Sequence, residues 1–171
     1  MTAPPPFGSW PTPLTSELVV AAAVRLGEVR VDPPDPTSGT VWWAEGRPAE
    51  GGRTQIVRRD PDGTLTDLLP EGYDARTAVH EYGGAAWWVH GGTVWFANWA
   101  DQRLHRLCDE AGPVAVSPEP EAPRGDRWAD GVLAPDGALV LVREHHAVGA
   151  GPAQVRNEIA RLDVDGSVEV L

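Results

Sequence analysis

Short apolar segments recur along most of the chain, separated by turn residues. Three of them are rich in β-branched and aromatic residues: 40–45 (TVWWAE), 93–98 (TVWFAN) and 138–143 (ALVLVR). Each is followed by a second apolar segment, a tight turn that ends in Gly63, Gly112 or Gly166, and a third segment. A fourth segment precedes each group. Because glycine tolerates positive φ in such turns, the pattern predicts groups of four antiparallel strands.

The spacing of these groups indicates the kind of β fold. They repeat about every 50 residues, and periods of about 40–50 residues with four strands are typical of propeller blades. Segments 41–44 and 94–97 are apolar on both faces, as strands packed between blades would be, whereas the outer segment 167–171 alternates. We therefore expect an all-β chain of about three β-propeller blades. Because propellers have about 4–8 blades, the ring would be incomplete.

The same pattern predicts how the chain is organised. Residues 1–27 are expected to form a proline-rich N-terminal arm and one short helix at about 16–24, which begins after Thr15 and ends at Gly27. Residues 28–171 are expected to form the partial β-propeller, with units at about 28–70, 84–117 and 129–171.

Composition and charge narrow the classes of partner. The 171 residues include 14 basic and 25 acidic side chains, for a net charge of −11, and every basic residue is arginine. An acidic chain without a basic patch argues against a nucleic acid partner. The chain starts without a signal-peptide pattern and has no apolar run long enough to cross a bilayer, so a soluble, cytoplasmic protein without a membrane partner is expected. The one cysteine, Cys108, cannot form an internal disulfide.

Several motifs resemble the start of a known enzyme family. They are 46–53 (GRPAEGGR), 79–84 (VHEYGG), 96–104 (FANWADQRL), 143–145 (REH) and 157–159 (NEI), together with residues 10–11 and 26–29. In combination they are similar to the N-terminal part of bacterial serine peptidases of the prolyl oligopeptidase family (S9), often described as dipeptidyl aminopeptidase- or acylaminoacyl-peptidase-like. The resemblance extends over nearly the whole chain from about Trp10 onward.

This resemblance implies an N-terminal β-propeller followed by a C-terminal α/β-hydrolase domain with a catalytic serine, aspartate and histidine. In the family, the propeller covers the active site and restricts entry to short peptides. This chain contains no Gly-x-Ser-x-Gly motif, so we expect the hydrolase domain to be absent from it and the chain alone to be inactive. No catalytic residue, metal or cofactor is assigned. The expected partners are short peptide substrates and the hydrolase domain.

Polar residues in the connectors that enter inner strands are the candidates for substrate gating, because such connectors lie at the mouth of a propeller channel. They are Arg76, His80, Glu81 and Tyr82 in one connector, with Arg127 and Asp130 in the next. A metal site at His80 is not expected, since Gly84 interrupts a His-Glu-x-x-His pattern. Residues 144–146 (EHH) are predicted to begin a solvated loop.

Two other functions remain compatible with these patterns. One is a non-catalytic β-propeller used for protein interaction. The other is a propeller that is itself an enzyme, such as a metal-dependent lactonase, which would need acidic and asparagine ligands converging on its axis. A Gly-x-Ser-x-Gly motif encoded after Leu171 would favour the peptidase, whereas further blades and a stop codon would favour the interaction module.

Overall fold

The regular secondary structure of the described residues is almost entirely β-strand. The computed structural model describes residues 6, 8–9, 13–15, 23–107, 112–149, 151 and 154–171. Within these ranges the helical segments are two short 3-10 turns, Pro48–Glu50 and Val79–Glu81. None of the described residues belongs to a helix that is long and apolar enough to cross a membrane.

The helix predicted at 16–24 lies largely outside the described residues. Its last two residues, Ala23 and Val24, are not helical, and a strand begins at Arg25. Gly27 lies inside that strand rather than after a helix, because its backbone pairs with Ala44 of the next strand. The predicted helix end is therefore wrong. Cys108 and most of the predicted turn at 109–112 also fall outside the described residues.

Three four-stranded antiparallel sheets follow one another along the chain, each with its strands in sequential order. The first contains β1 (Arg25–Arg30), β2 (Val41–Arg47), β3 (Arg53–Arg59) and β4 (Leu65–Asp67). The second contains β5 (Trp87–His90), β6 (Thr93–Ala97), β7 (Leu104–Leu107) and β8 (Val114–Ala115). The third contains β9 (Asp126–Leu133), β10 (Leu139–His145), β11 (Arg156–Leu162) and β12 (Val168–Val170). The sheets are open, and the predicted all-β fold of four-stranded propeller blades is confirmed.

The turn between β3 and β4 shows why the acidic-x-x-Gly sequence forms a hairpin. Gly63 has a φ of 92°, and its N–H donates to the carbonyl of Asp60 over 2.9 Å. The carboxylate of Asp62 accepts the N–H of Thr64 at 2.8 Å. Gly166, in the corresponding turn between β11 and β12, has a φ of 87°. Positive φ is nearly strain-free only for glycine, so these positions fix the hairpins.

The second sheet is covered on both faces and separates two apolar clusters. The first cluster joins the first and second sheets and contains Trp42, Ala44, Ile56, Leu69, Ala75, Trp87, Val89, Val94, Phe96 and Leu107. The second joins the second and third sheets and contains Trp88, Trp95, Leu104, Trp128, Leu139, Leu141, Ala160 and Leu162. Because neighbouring residues in a strand point to opposite faces, Trp87 and Trp88 enter different clusters. This explains the unbroken apolar sequence of β5 and β6.

A bulge in β9 makes room for one of these tryptophans. Asp130 has a left-handed φ of 57°, and the pairing of β9 with β10 shifts register beside it. A Cβ atom on the next residue, Gly131, would lie 2.0 Å from Cζ2 of Trp88. The glycine is therefore required by the packing between the second and third sheets. β1 has a register shift of the same kind at Glu28, whose φ is 51°.

A buried carboxylate also links the first two sheets. Asp32, just after β1, is 7% exposed. Its two carboxylate oxygens accept the N–H groups of Gly91 at 2.8 Å and Gly92 at 2.6 Å, in the turn between β5 and β6. Charge-assisted hydrogen bonds of this kind are stronger than neutral ones. Asp32 therefore fixes the second sheet's first hairpin against the first sheet.

Candidate functional site

The connector from β4 to β5 meets the third sheet at one end of the molecule. In a sheet of four sequential antiparallel strands, the second and fourth strands end on the same side. The β4–β5 connector, the β8–β9 connector and the β10–β11 loop therefore emerge together. Hydrogen bonds hold them together, including one from the backbone N–H of His146 to the carbonyl of Gly125 at 2.7 Å and one from Arg127 Nη1, at the start of β9, to the carbonyl of Ala78 at 2.9 Å.

The tip of the β4–β5 connector has an unusual backbone. His80 and Glu81 are consecutive left-handed residues, with φ of 54° and 61°, and Gly83 follows with a φ of 81°. A non-glycine residue in this region costs about 1–3 kcal/mol and persists only where its surroundings fix it. The contacts around His80 and Glu81 are therefore expected to be strong.

A buried glutamate from β10 supplies the central contact. Glu144 is 4% exposed. One of its oxygens accepts the backbone N–H of His80 at 2.7 Å, and the other accepts Arg127 Nη1 at 2.9 Å and His146 Nε2 at 2.6 Å. A buried carboxylate is tolerated when its lone pairs are used in this way. We call Glu144, its partners His80, Arg127 and His146, and Glu81, which pairs with Arg127, the Glu144 network.

Further contacts hold both left-handed residues. Arg127 Nη1 donates to Glu81 Oε1 at 2.7 Å, and the ring of His80 hydrogen-bonds to Asn157 Oδ1 through Nε2 at 2.8 Å. Arg127 lies on β9, Glu144 on β10 and Asn157 on β11. Three strands of the third sheet thus each contribute one side chain to the connector that enters the second sheet.

The network sets the ionisation of Glu144. Burial acts to raise the pKa of this carboxyl, but the hydrogen bonds from His146 and the His80 N–H, with the charge of Arg127, outweigh it and hold the pKa below its ordinary value. Glu144 is therefore ionised at neutral pH, and its negative charge is shared among donors from the β4–β5 connector and from the third sheet with its adjoining loop.

Gly84, which follows this tip, lies close against β9. A Cβ on Gly84 would lie 2.8 Å from Asp130 Oδ2 and 3.0 Å from Ala129 Cβ. Asp130 also accepts the backbone N–H of Ala85 through Oδ1 at 3.1 Å. The sequence 80–84 (HEYGG) thus combines residues held by the third sheet with glycines that let the connector pass beside β9.

The six predicted gating residues do not all lie together. His80, Glu81 and Arg127 belong to the Glu144 network, and Asp130 lies beside the same connector. Arg76 is separate, since its guanidinium stacks 4.1 Å from the centre of the Trp99 ring, next to Arg124 at 4.5 Å from the same ring.

Tyr82 differs from the other candidates because it is 98% exposed. Within the described residues, its side chain makes no hydrogen bond, ion pair or ring contact. The connector therefore holds its neighbours His80 and Glu81 while the phenol ring remains in solvent.

The prediction of a solvated loop at 144–146 is wrong for its first two residues. Glu144 and His145 end β10, where Glu144 is buried and His145 Nδ1 lies 2.7 Å from Asp126 Oδ1. The sequence suggested a loop because three polar residues follow an apolar strand. Only the register between β9 and β10, which pairs Glu144 with Arg127, reveals their opposite charges. Apart from the NEI motif, no feature of the sequence indicated that Asn157 would contact the connector.

The connector and residues of the third sheet and its β10–β11 loop border an open cavity of about 530 Å³. Its lining residues are His80, Glu81, Glu144, His146, Gly151, Val155 and Asn157. Across the described residues, no group of three or more His, Cys, Asp or Glu side chains is placed to hold a metal ion. The cavity instead offers imidazole, amide and carboxylate groups that can hydrogen-bond to a small polar ligand.

Comparison with known proteins identifies similar structures. No protein-family model and no curated protein matches the sequence. A Mycobacterium tuberculosis puromycin-hydrolyzing peptidase is 37% identical, with a TM-score of 0.82, over 99% of this chain and 27% of that chain. A puromycin hydrolase is 33% identical, with a TM-score of 0.79, over 97% of this chain and 26% of that chain. A puromycin hydrolase mutant complexed with PGG is also 33% identical, with a TM-score of 0.82.

These matches agree with the motifs noted in the sequence. They extend over nearly the whole of this chain, which spans about a quarter of the length of each similar structure. The resemblance inferred from the sequence is thereby confirmed. In sequence and fold, the chain matches the N-terminal propeller portion of puromycin-hydrolyzing peptidases of the prolyl oligopeptidase family (S9).

Proposed function

We propose that the chain is the N-terminal propeller segment of a serine peptidase that acts on short peptides, and that it controls substrate entry without performing catalysis. The observation that carries this proposal is the 33–37% identity to puromycin-hydrolyzing enzymes over 97–99% of the chain. The catalytic serine, aspartate and histidine would belong to an α/β-hydrolase domain outside these 171 residues.

The chemistry of the chain supports the absence of a catalytic triad. Its sequence has no Gly-x-Ser-x-Gly motif. Ser117 is buried and its hydroxyl accepts the N–H of Leu104 at 3.0 Å, which is a structural contact. None of the serine hydroxyls in the described ranges hydrogen-bonds to a histidine, whereas an activated serine needs such a base.

The Glu144 network supports a role in substrate entry. It fixes a polar connector at the end of the sheets where several loops converge, and it borders a cavity of about 530 Å³. A fixed connector can exclude bulky polypeptides and admit short ones, because a small displacement of its tip changes the width of the opening. Arg127 is central to this role since it contacts both Glu81 and Glu144.

The absence of catalysis is tested with the 171-residue chain alone. It is incubated with a serine-directed fluorophosphonate probe and with chromogenic aminoacyl and peptide substrates. We expect neither covalent labelling nor hydrolysis. Labelling of the chain would contradict the proposal.

Substrate control is tested in a chimera that joins this chain to the remaining part of puromycin hydrolase. We expect the chimera to hydrolyse a tripeptide substrate far better than a peptide of about 20 residues. Arg127→Met should reduce this preference by about tenfold, the effect of losing a charged hydrogen bond. Arg156→Met is the matched control, because Arg156 is exposed and its contact with Glu158, at 3.4 Å, is longer than the two ion pairs of Arg127. Equal length preference in the chimera and in Arg127→Met would reject the gating role.

A further inference from the structure

Glu144 has a structural arrangement that stability alone does not explain. An ionised carboxylate that is 4% exposed returns little net stability when paired, compared with an apolar residue of similar size. Of its three hydrogen-bonding partners, His80 belongs to the β4–β5 connector, and Arg127 also donates to Ala78 of that connector. The buried charge is therefore used to place a segment of the neighbouring sheet.

The segment placed in this way ends in an exposed aromatic residue. His80 and Glu81 are both left-handed, and backbone strain of this kind concentrates at recognition and catalytic sites. Tyr82 follows them directly and is 98% exposed. Since the ring packs on none of the described residues, the strained backbone does not serve to bury it.

We propose that Glu144 is a positioning residue that holds the connector so that Tyr82 contacts the peptide substrate beside the cavity lined by His80, His146 and Asn157. This inference rests on the proposed function. It adds Glu144 as the residue that fixes the connector and Tyr82 as the residue that contacts the peptide. The tyrosine ring supplies an apolar surface and a hydroxyl, which suit the backbone and side chains of a peptide.

The size and chemistry of the cavity favour a short peptide over a folded protein domain as the occupant. Its volume of about 530 Å³ lies within the range of about 300–1,000 Å³ that is usual for small-ligand sites. The side chains of His146 and Asn157 provide donors and acceptors that match peptide amide groups.

Fluorine NMR of the 171-residue chain labelled with 3-fluorotyrosine tests the contact. The sequence has two tyrosines, so two resonances are expected. Tyr73 is an internal control for the fold, because its ring packs edge-on against Phe96 and His105. N-acetyl-triglycine amide is the probe. We expect it to move the Tyr82 resonance saturably and to leave the Tyr73 resonance in place.

Three variants test the positioning role. Glu144→Ala should narrow the Tyr82 resonance, because the connector gains motion, and weaken peptide affinity by about tenfold, with Tyr73 unchanged. Glu144→Gln should recover part of this loss, since its amide oxygen can still accept the His80 N–H. Glu158→Ala is the matched control: its carboxylate lies on β11 and pairs with Arg143 and Arg156, so peptide affinity should match the parent.

Clear outcomes would overturn the inference. A Tyr82 resonance that does not respond to the peptide at about 10 mM, a weak limit for a specific site, would reject the contact. Unchanged peptide affinity in Glu144→Ala would reject the positioning role; if that variant loses the native Tyr73 resonance, the same criterion applies to Glu144→Gln. If the chimera still selects substrates by length but the Tyr82 resonance does not respond to peptide, the proposed function stands and this inference is rejected.

Discussion

The junction between the first and second sheets and the junction between the second and third share the same aromatic packing but differ in the partners of their buried carboxylates. At the first, Asp32 accepts two backbone N–H groups, whereas at the second Glu144 also binds the side chains of Arg127 and His146. In the first, Trp87 and Phe96 lie in a continuous apolar cluster. In the second, Trp88 and Trp128 form a similar cluster, and the Glu144 network extends it toward the connector tip.

Apolar packing and buried charge perform two different physical tasks. Burial of apolar area stabilises both junctions, at about 25 cal/mol per Å². A buried ion pair contributes little net stability, but it has a fixed geometry because its charges need particular partners. Both junctions therefore combine apolar burial with a positioning carboxylate: Asp32 fixes the Gly91–Gly92 turn at the first, and the ion pair of Glu144 with Arg127 helps to fix the position of His80 and Glu81 at the second.

Truncation of a core tryptophan tests whether the two junctions are equally cohesive. Trp87 is 0% exposed and Trp95 is 9% exposed, and they belong to the first and second clusters respectively. Trp87→Ala and Trp95→Ala should each lower the free energy of unfolding by about 3–5 kcal/mol, measured by urea denaturation with circular dichroism. Trp43→Ala, at a half-buried position, is the control and should cost less than half as much. A loss below about 1 kcal/mol at Trp87 or Trp95 would place that side chain on a surface.

The close approach at β9 gives a second, smaller effect that is specific to the second junction. Gly131→Ala would place its Cβ 2.0 Å from Cζ2 of Trp88, so we expect a loss of about 1–3 kcal/mol from overpacking. Gly27→Ala is the matched control on β1, where a Cβ would have no neighbouring atom within 4 Å. Thermal unfolding of both variants measures the contrast, and equal stability would show that β9 can move away from Trp88.

The pH dependence of stability should have opposite signs at the two junctions. Burial raises the pKa of Asp74, which accepts the N–H of Thr54 near the first junction. Its contribution is full at low pH and is lost as the pH rises through the raised pKa. Glu144 has a lowered pKa, so its contribution is present above its ordinary pKa and is lost as the pH falls through the lowered value.

Two amide substitutions isolate these contributions. Relative to the parent, Asp74→Asn should become more stable as the pH rises from about 3 to 7, because no carboxylate has to ionise in a buried place. Glu144→Gln should become less stable over the same range. Urea denaturation at a series of pH values measures both differences, and slopes of the same sign would contradict the contrast.

Local patterns were sufficient to predict most of the fold. The hairpin at Gly63 follows from residues adjacent in sequence, and the burial of Trp87 and Trp88 on opposite faces follows from the period of a strand. The helix end at Gly27 was wrong because pairing with Ala44, which is distant in sequence, decides the conformation of that segment.

The candidate site was only partly predictable for a related reason. His80 and Glu81 were identified by their place in the β4–β5 connector, and Arg127 by a predicted connector position that the structure assigns to β9 instead. The three residues do meet in the structure. Glu144 and Asn157 were missed, because their roles depend on contacts to His80 that span 64 and 77 residues. No periodicity within a strand carries that information.

The carboxylate of Asp32 has a consequence for the order of folding. It satisfies a hairpin turn about 60 residues later in the chain, so during synthesis the acceptor leaves the ribosome before its donors. The first sheet can form from contacts that are local in sequence, and local contacts form fastest. It would then present a fixed anion to the emerging Gly91–Gly92 turn. The first hairpin of the second sheet would thus form against an already folded first sheet, and folding is expected to proceed from the N-terminal sheet onward.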